Sequence, residues 1–253
     1  MNKFFQLTLS LSAIFFSLSC STSSTVSQSN NSDTSSSYAQ ETNDQAEYGK
    51  DDFVRYEDYV YKENIKTPQL YVKGEPLSMP VLFMNGNKKL ELHFDDLDSE
   101  FHTYSYKIVH CNANWEPSSL NPQEYISGYF NGFIEDYKYS FNTLFSYIHY
   151  KLEFPHQELT FTKSGNYIIK VYANNNEDDL LLTRRFFVVE QRVSIESNIH
   201  MATLARHRDY KQEVDFTINT QNYNIQDPYA DIQVVLSQNR RWDNAIFNLK
   251  PLF

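Results

Sequence analysis

Short segments in which apolar and polar residues alternate dominate this sequence from residue 51 onward. The clearest is Leu90–Phe94, which reads LELHF. A period of two places alternate side chains on opposite faces of a β-strand, so this segment predicts a strand with one solvated face. Similar patterns and short apolar runs predict strands at Gln69–Val72, His102–Val109, Tyr147–Phe154, Asn166–Ala173, Leu180–Glu190, Ser194–His200, Glu213–Asn219 and Asp231–Ser237.

Helical patterns are scarce. Only a turn or two is expected within Pro117–Ile126, where Pro122 limits the helix. We therefore expect an all-β fold: an immunoglobulin-like β-sandwich over residues 51–193, followed by the start of a second β-rich domain at residues 194–253. The chain ends on apolar residues at Leu249–Phe253, which leads us to expect a fragment or an early stop.

Composition excludes several classes of function. The 253 residues carry a net charge of −10, which is wrong for a nucleic-acid-binding protein that must neutralise phosphates. Only 6 glycines and 2 cysteines argue against glycine-rich phosphate loops and against a disulfide-stapled scaffold. The 19 Tyr and 19 Phe favour strands, in which aromatic rings pack on a pleated surface.

The N-terminal segment predicts export and lipidation. Lys3 is followed by an apolar run from Leu7 to Leu18, too short to span a bilayer, and then by Cys20. A cysteine at this place is typical of a bacterial lipoprotein, although Leu18 lies two residues before it instead of the usual three. The alternative is an ordinary signal peptide with an accidental cysteine. Residues 21–50 are almost entirely polar and predict a disordered tether.

The candidate chemical sites are weak. The acidic run Asp95–Glu100 could offer oxygen ligands to calcium, but it lacks EF-hand spacing, and we interpret it as a solvated turn. Glu177–Asp179 is interpreted in the same way. His200 and His207 are seven residues apart, which is poor evidence for a metal site, and Cys111 is expected to be a small buried residue. We expect no enzyme, no cofactor, no metal and no small-molecule substrate.

Trp115 lies in a distinctive segment, His110–Ser118, and has two interpretations. It could anchor a loop into the core, or it could stack on a sugar. The second interpretation supports an alternative function, a carbohydrate-binding lipoprotein with tandem β-sandwiches that takes part in glycan uptake.

Several motifs in order resemble the plug protein of the type IX secretion system of Bacteroidetes, from Tyr56 to about Ser194 and more weakly beyond. They are Asn64–Tyr71, Leu92–Asp98, Tyr106–Cys111, Trp115–Ser118, Tyr139–Thr143 and Leu182–Phe186.

This resemblance implies an interaction protein without an active site. The family's plug closes the periplasmic mouth of a SprA-like outer-membrane translocon barrel when no cargo passes. Ser21–Thr25, directly after Cys20, contains no acidic residue, and the family context then implies retention on the periplasmic face of the outer membrane. Family members are longer than this chain, which stops within the region that resembles their second domain.

Overall fold

The computed structural model describes residues 54–98, 100–220 and 223–250, together with the backbone of residues 6–10. Its strands are β1 (Gln6–Ser10), β2 (Tyr59–Val60), β3 (Ile65–Val72), β4 (Val81–Phe83), β5 (Leu90–Asp96), β6 (Tyr104–Cys111), β7 (Ile126–Gly128), β8 (Asn131–Phe133), β9 (Asp136–Tyr139), β10 (Ile148–Phe154), β11 (Leu159–Phe161), β12 (Gly165–Ala173), β13 (Leu180–Val189), β14 (Ser194–Met201), β15 (Gln212–Asn219), β16 (Leu236–Gln238) and β17 (Arg241–Ile246).

Helix contributes little to this fold. The two α-helices, α1 (Pro122–Tyr125) and α2 (Pro228–Asp231), have four residues each, and Ala205–His207 forms one 3₁₀ turn. No helix in the described ranges is long and apolar enough to cross a membrane. The chain divides into two units between Gln191 and Arg192. We call residues 54–191 the N-terminal domain and residues 192–250 the C-terminal unit.

Two larger sheets build the N-terminal domain. One has the strand order β3-β5-β10-β9, and the other has the order β2-β13-β12-β6-β8 with β4 added in parallel beside β13. All other pairings in these sheets are antiparallel. A short two-stranded sheet joins β7 and β11. The sequence-based prediction of an all-β sandwich is thereby confirmed.

The core lies between the two larger sheets. Strand β10 shows how the sequence directs it, because Ile148, Tyr150, Leu152 and Phe154 are buried while the residues between them are partly exposed. Rings contact one another across the layers: Phe94 on β5 lies 5.6 Å from Tyr104 on β6, and Phe154 lies 5.2 Å from Phe186 on β13. Fully buried side chains from both sheets complete this core, among them Leu90, Leu92, Ile108, Tyr167, Ile169, Val171 and Leu182.

A segment at the start of the domain binds along β13 of the second sheet. We call residues 54–61 the N-terminal strap. Its carbonyl oxygens at Tyr56 and Glu57 accept hydrogen bonds of 2.7 Å from Arg185 Nε and Thr183 Oγ1 of β13. Strand β12, two places from the strap's own strand β2, is buried on both faces from residue 167 to residue 172. A strand covered on both sides has an almost continuous apolar sequence, which explains why β12 does not alternate.

Two local expectations need correction. Asp231–Ser237 does not form the predicted strand, because Asp227 caps a helical turn that starts at Pro228 and ends at Asp231. The strand β16 begins only at Leu236. Pro122 does not limit a helix but occupies its first position, where a missing N–H costs nothing. The sequence patterns also did not reveal the short strands β2, β4, β7, β8, β9, β11 and β17.

The C-terminal unit contains two small sheets. Strand β15 lies between β14 and β1 in an antiparallel three-stranded sheet; β1 comes from outside residues 192–250 and lies within the predicted signal peptide. Strand β16 pairs with β17 in a hairpin. The predicted strands Ser194–His200 and Glu213–Asn219 correspond to β14 and β15. The predicted domain boundaries remain expectations.

Candidate interaction surface

The loop between β9 and β10, residues 140–147, carries three highly exposed large apolar side chains, two of which are the most exposed among the described residues of the N-terminal domain. Phe141 is 92%, Leu144 is 98% and Phe145 is 79% exposed. Such side chains each gain about 1.5–3 kcal/mol on full burial, so a free loop of this kind forgoes a considerable stabilisation. Their exposure is typical of a surface that binds another molecule.

Hydrogen bonds close this loop at its base. The amide of Ser140 donates to the carbonyl of Tyr147 at 2.9 Å, and the amide of Tyr147 donates to Ser140 Oγ at 2.9 Å. Within the loop, Thr143 Oγ1 donates to the carbonyl of Phe145 at 2.8 Å. Asn142 takes the left-handed conformation (φ 57°) that a sharp turn requires and that asparagine tolerates. A closed base projects the apolar side chains away from the sheet.

Aromatic rings on β9, directly before this loop, contact the core. The ring of Tyr137 on β9 lies 4.7 Å from Phe101, 5.9 Å from Tyr139 and 6.0 Å from the buried Tyr150. Strand β9 is the edge strand of its sheet, and all four of its residues are exposed. The edge therefore offers unpaired backbone groups and aromatic side chains together. We call the set Phe101, Tyr137, Tyr139, Phe141, Leu144 and Phe145 the aromatic edge surface.

Only the second half of the acidic run Asp95–Glu100 is the solvated turn that we expected, since Asp98 and Glu100 are exposed after the end of β5. Asp95 and Asp96 belong to β5, and Asp96 is fully buried. Its carboxylate accepts hydrogen bonds of 2.6 Å from Tyr104 Oη and from Asn64 Nδ2. Burial raises the pKa of Tyr104, which keeps its hydroxyl protonated as a donor. This part of the run has a structural role because its hydrogen-bonding capacity is used internally.

Two histidines on the outer face of the first sheet join in a polar chain. The carboxylate of Asp95 accepts from His149 Nδ1 at 2.6 Å, and His149 Nε2 lies 3.0 Å from His93 Nδ1. Because a carboxylate only accepts, His149 carries a proton on Nδ1, and when the His149 ring is neutral, His93 Nδ1 donates to His149 Nε2. His93 Nε2 is then left buried without a hydrogen-bond partner, 3.6 Å from Glu91 Oε2. Burial lowers the pKa of His93.

The Glu177–Asp179 loop is solvated as predicted, with Glu177 and Asp178 exposed, and Glu177 also forms ion pairs. Glu177 binds Lys107 Nζ at 2.6 Å and lies 3.6 Å from the nitrogen of the buried Lys170. Asp179 pairs with Lys62 at 2.7 Å. These pairs tie the β12–β13 hairpin loop to the sheet.

Cys111 and Trp115 are both buried, 2% and 4% exposed. Burial raises the pKa of the Cys111 thiol to about 12, so it is not a nucleophile at neutral pH. The indole of Trp115 packs against the Phe187 ring at 5.4 Å, and the Arg185 guanidinium lies 4.3 Å from its centre. The loop-anchor interpretation is confirmed, and a sugar-stacking role for Trp115 is wrong because its face is covered.

Family comparison matches the N-terminal domain. The model of the type 9 secretion system plug protein 1st domain matches residues 65–190. The β-sandwich of this chain belongs to that family. The plug family is not a family of enzymes, which agrees with the lack of a recognisable catalytic motif in the sequence.

A solved structure is similar over a larger part of the chain. A crystal structure of a hypothetical protein from Parabacteroides merdae ATCC 43184 matches 79% of this chain with 35% sequence identity and a TM-score of 0.75. The match covers 51% of that protein, so this chain spans about half its length. No curated protein matches this sequence.

Cys20 and the tether at residues 21–50 lie outside the described residues, so lipidation remains a prediction.

The aromatic edge surface was not predicted from the sequence, although Tyr139–Thr143 was among the motifs that resembled the family. A usable signal was present: Phe141, Leu144 and Phe145 follow no period of two and are interrupted by small polar residues, which is typical of a loop.

Proposed function

We propose that this protein is a periplasmic-facing outer-membrane lipoprotein that binds the type IX secretion translocon barrel and closes it when no cargo passes. The observation that carries the proposal is the match of residues 65–190 to the first domain of the plug family. Lipidation at Cys20 holds the protein at the membrane, and the polar residues that follow give it reach.

A plug must be a body that does not deform under the forces acting on it at the mouth of a wide pore. The N-terminal domain supports this role because one continuous core joins both sheets, and close-packed interiors resist compression. The strap and the ion pairs around Glu177 fasten its outer layer. A stable sandwich therefore suits a closure that has to hold without covalent attachment.

The aromatic edge surface supports a specific mode of contact. Phe141, Leu144 and Phe145 offer anchors that become buried only against a partner, and apolar or aromatic anchors dominate the energy of protein interfaces. The exposed edge of β9 adds backbone groups that can pair with an extended segment of the barrel. We propose that this surface contacts the periplasmic rim of the barrel.

An affinity pull-down tests the proposal. Full-length tagged protein, recovered from gently solubilised outer membranes, is expected to bring down the translocon barrel subunit. A variant with Phe141→Ser, Leu144→Ser and Phe145→Ser is expected to lose the barrel. The matched control is Leu77→Ser with Phe83→Ser, which removes two exposed apolar side chains at 86% and 51% exposure elsewhere in the domain.

The outcomes distinguish a wrong proposed function from a wrong proposed contact surface. If the native chain recovers no barrel, the proposed function is wrong. If the loop variant recovers the barrel as well as the control does, the aromatic edge surface is not the contact. Deletion of the gene is further expected to make the outer membrane leaky to large hydrophilic solutes while the barrel stays assembled.

The anchor is tested separately. Cys20→Ser is expected to move the protein from the membrane fraction to the soluble periplasmic fraction, and intact mass measurement of the wild type is expected to show the added acyl groups. Recovery of Cys20→Ser in the membrane at the wild-type level would contradict lipid anchoring at this residue.

A further inference from the structure

Three metal-ligating side chains meet on one face of the β14–β15 ladder in the C-terminal unit. The register pairs His200 with Glu213, and Asp215 lies two residues further along β15 on the same face. One nitrogen of His200 and one oxygen of each carboxylate all lie within 4.8 Å of one another. Glu213 is buried, and the side chains of His200 and Asp215 are partly exposed, which leaves the cluster accessible to an ion from solvent.

Hydrogen bonds fix the tautomer of His200. Its Nδ1 lies 2.8 Å from the carbonyl oxygen of Met201, and because a carbonyl only accepts, Nδ1 carries the proton. In the neutral ring, Nε2 then presents a lone pair to Asp215 Oδ2 at 2.9 Å. Two acceptors at this distance repel each other unless a positive charge, either a proton or a metal ion, lies between them.

Each of the two carboxylates has an oxygen atom available to a metal ion. Glu213 Oε2 accepts a 2.6 Å hydrogen bond from the amide of Thr203, which orients its other oxygen. Asp215 Oδ1 is shielded from solvent and has no hydrogen-bond partner, so Asp215 keeps an unused ligand atom. A histidine that donates its far nitrogen to a backbone carbonyl is the common arrangement at metal centres.

We propose that His200, Glu213 and Asp215 bind a zinc ion. One imidazole nitrogen and two carboxylate oxygens form a three-ligand set to which water can add as the fourth ligand. Zinc–ligand bonds of about 2.0–2.2 Å place neighbouring ligand atoms about 3.3 Å apart, which small side-chain rotations reach from the observed spacing. The imidazole favours zinc over calcium, which prefers six to eight oxygens.

Calorimetric titration of zinc chloride into the full-length chain tests this site. The measurement uses a Cys20→Ser background, so that no thiol near the N-terminus competes for the metal. One equivalent of zinc is expected to bind, and binding is expected to strengthen from pH 6 to pH 8 because the metal displaces the proton of His200. Cobalt(II) in place of zinc is expected to give the visible absorption of a four-coordinate site.

Variants locate the site. His200→Ala and the nearly isosteric Asp215→Asn are each expected to weaken zinc binding at least tenfold. The matched control is His207→Ala, which removes a histidine of the same unit whose ring contacts Tyr210 instead. Circular dichroism of each variant checks that it is folded, and a variant that fails this check is replaced by Glu213→Gln.

Four results would overturn the proposal, and the first three concern the metal and the carboxylate. They are the absence of zinc binding at 100 μM metal, equal binding by wild type and Asp215→Asn, and binding of calcium in preference to zinc. Loss of the site in His149→Ala but not in His200→Ala would also overturn it, because the metal would then lie on the His93–His149 pair of the N-terminal domain.

Discussion

Strands β10 and β14 alternate apolar and polar residues in a similar way but differ completely in burial. In β10 the apolar residues Ile148 to Phe154 are at most 9% exposed. In β14, Ile195 is 64%, Ile199 is 62% and Met201 is 69% exposed. The difference arises because a second sheet covers the apolar face of β10. Alternation thus specifies which side chains share a face, whereas burial depends on a second layer that the strand itself does not encode.

The aromatic edge surface is exposed for another reason. It belongs to a domain whose core is otherwise closed, and its loop is held by its own hydrogen bonds. Its apolar side chains stay outside the core although the domain has a complete pair of sheets. Exposed apolar side chains in a domain with a closed core are therefore better evidence for a binding partner than the exposed apolar side chains of β14.

The largest expected effect separates the two strand environments. Phe186→Ala, at a fully buried ring that touches Phe154 and Tyr167, is expected to lower the free energy of unfolding by about 3–5 kcal/mol. Ile199→Ala on β14 is expected to cost less than about 1 kcal/mol, because little apolar area leaves water there. Urea unfolding of both variants measures the difference. Equal losses would contradict the contrast between the covered core of the N-terminal domain, where Phe186 on β13 packs against Phe154 on β10, and the exposed face of β14.

The next effect concerns the buried carboxylate. Asp96→Ala leaves the donors of Tyr104 and Asn64 without their acceptor and is expected to cost about 2–3 kcal/mol. Asp98→Ala is the matched control, since Asp98 is exposed and pairs with His102 at the surface, and it is expected to cost less than about 1 kcal/mol. Urea midpoints of the two variants give the answer. A similar loss of stability in both variants would mean that Asp96 behaves like an exposed residue of the turn.

A smaller effect depends on pH. The pKa of His93 is lowered in the folded protein by burial, so the unfolded chain binds this proton more readily, and the contribution of His93 to stability falls as pH drops below about 6.5. His93→Asn is expected to reduce the difference in unfolding free energy between pH 7.5 and pH 5.5. An NMR titration of the His93 ring is the direct check. A folded-state pKa above the unfolded value would contradict the burial argument.

The smallest effect is expected at the aromatic edge surface. The variant with Phe141→Ser, Leu144→Ser and Phe145→Ser is expected to change the free energy of unfolding by no more than about 0.5 kcal/mol, because these side chains are already exposed. Thermal unfolding compares it with the wild type. A marked loss of stability would mean that the loop contributes to the core instead of serving a partner.

Sequence patterns predicted the long strands well because their signal is local. Strand β10 alternates, and β12 and β13 are apolar runs separated by an asparagine-rich hairpin loop. The burial of Asp96 was not predictable, because its partners Asn64 and Tyr104 come from separate parts of the fold. The same holds for the His200 cluster, which depends on the β14–β15 register.

The N-terminal strap also determines how the domain bears tension. A pull applied at residue 54 is transmitted through β2 to β13, which lies inside its sheet beside β12. The side chains of Thr183 and Arg185 hold the strap along its length, so the load is shared among several bonds that must slide together. A domain held in this way resists unfolding by a force applied at its N-terminal end. Single-molecule stretching is expected to show detachment of the strap as a distinct force peak.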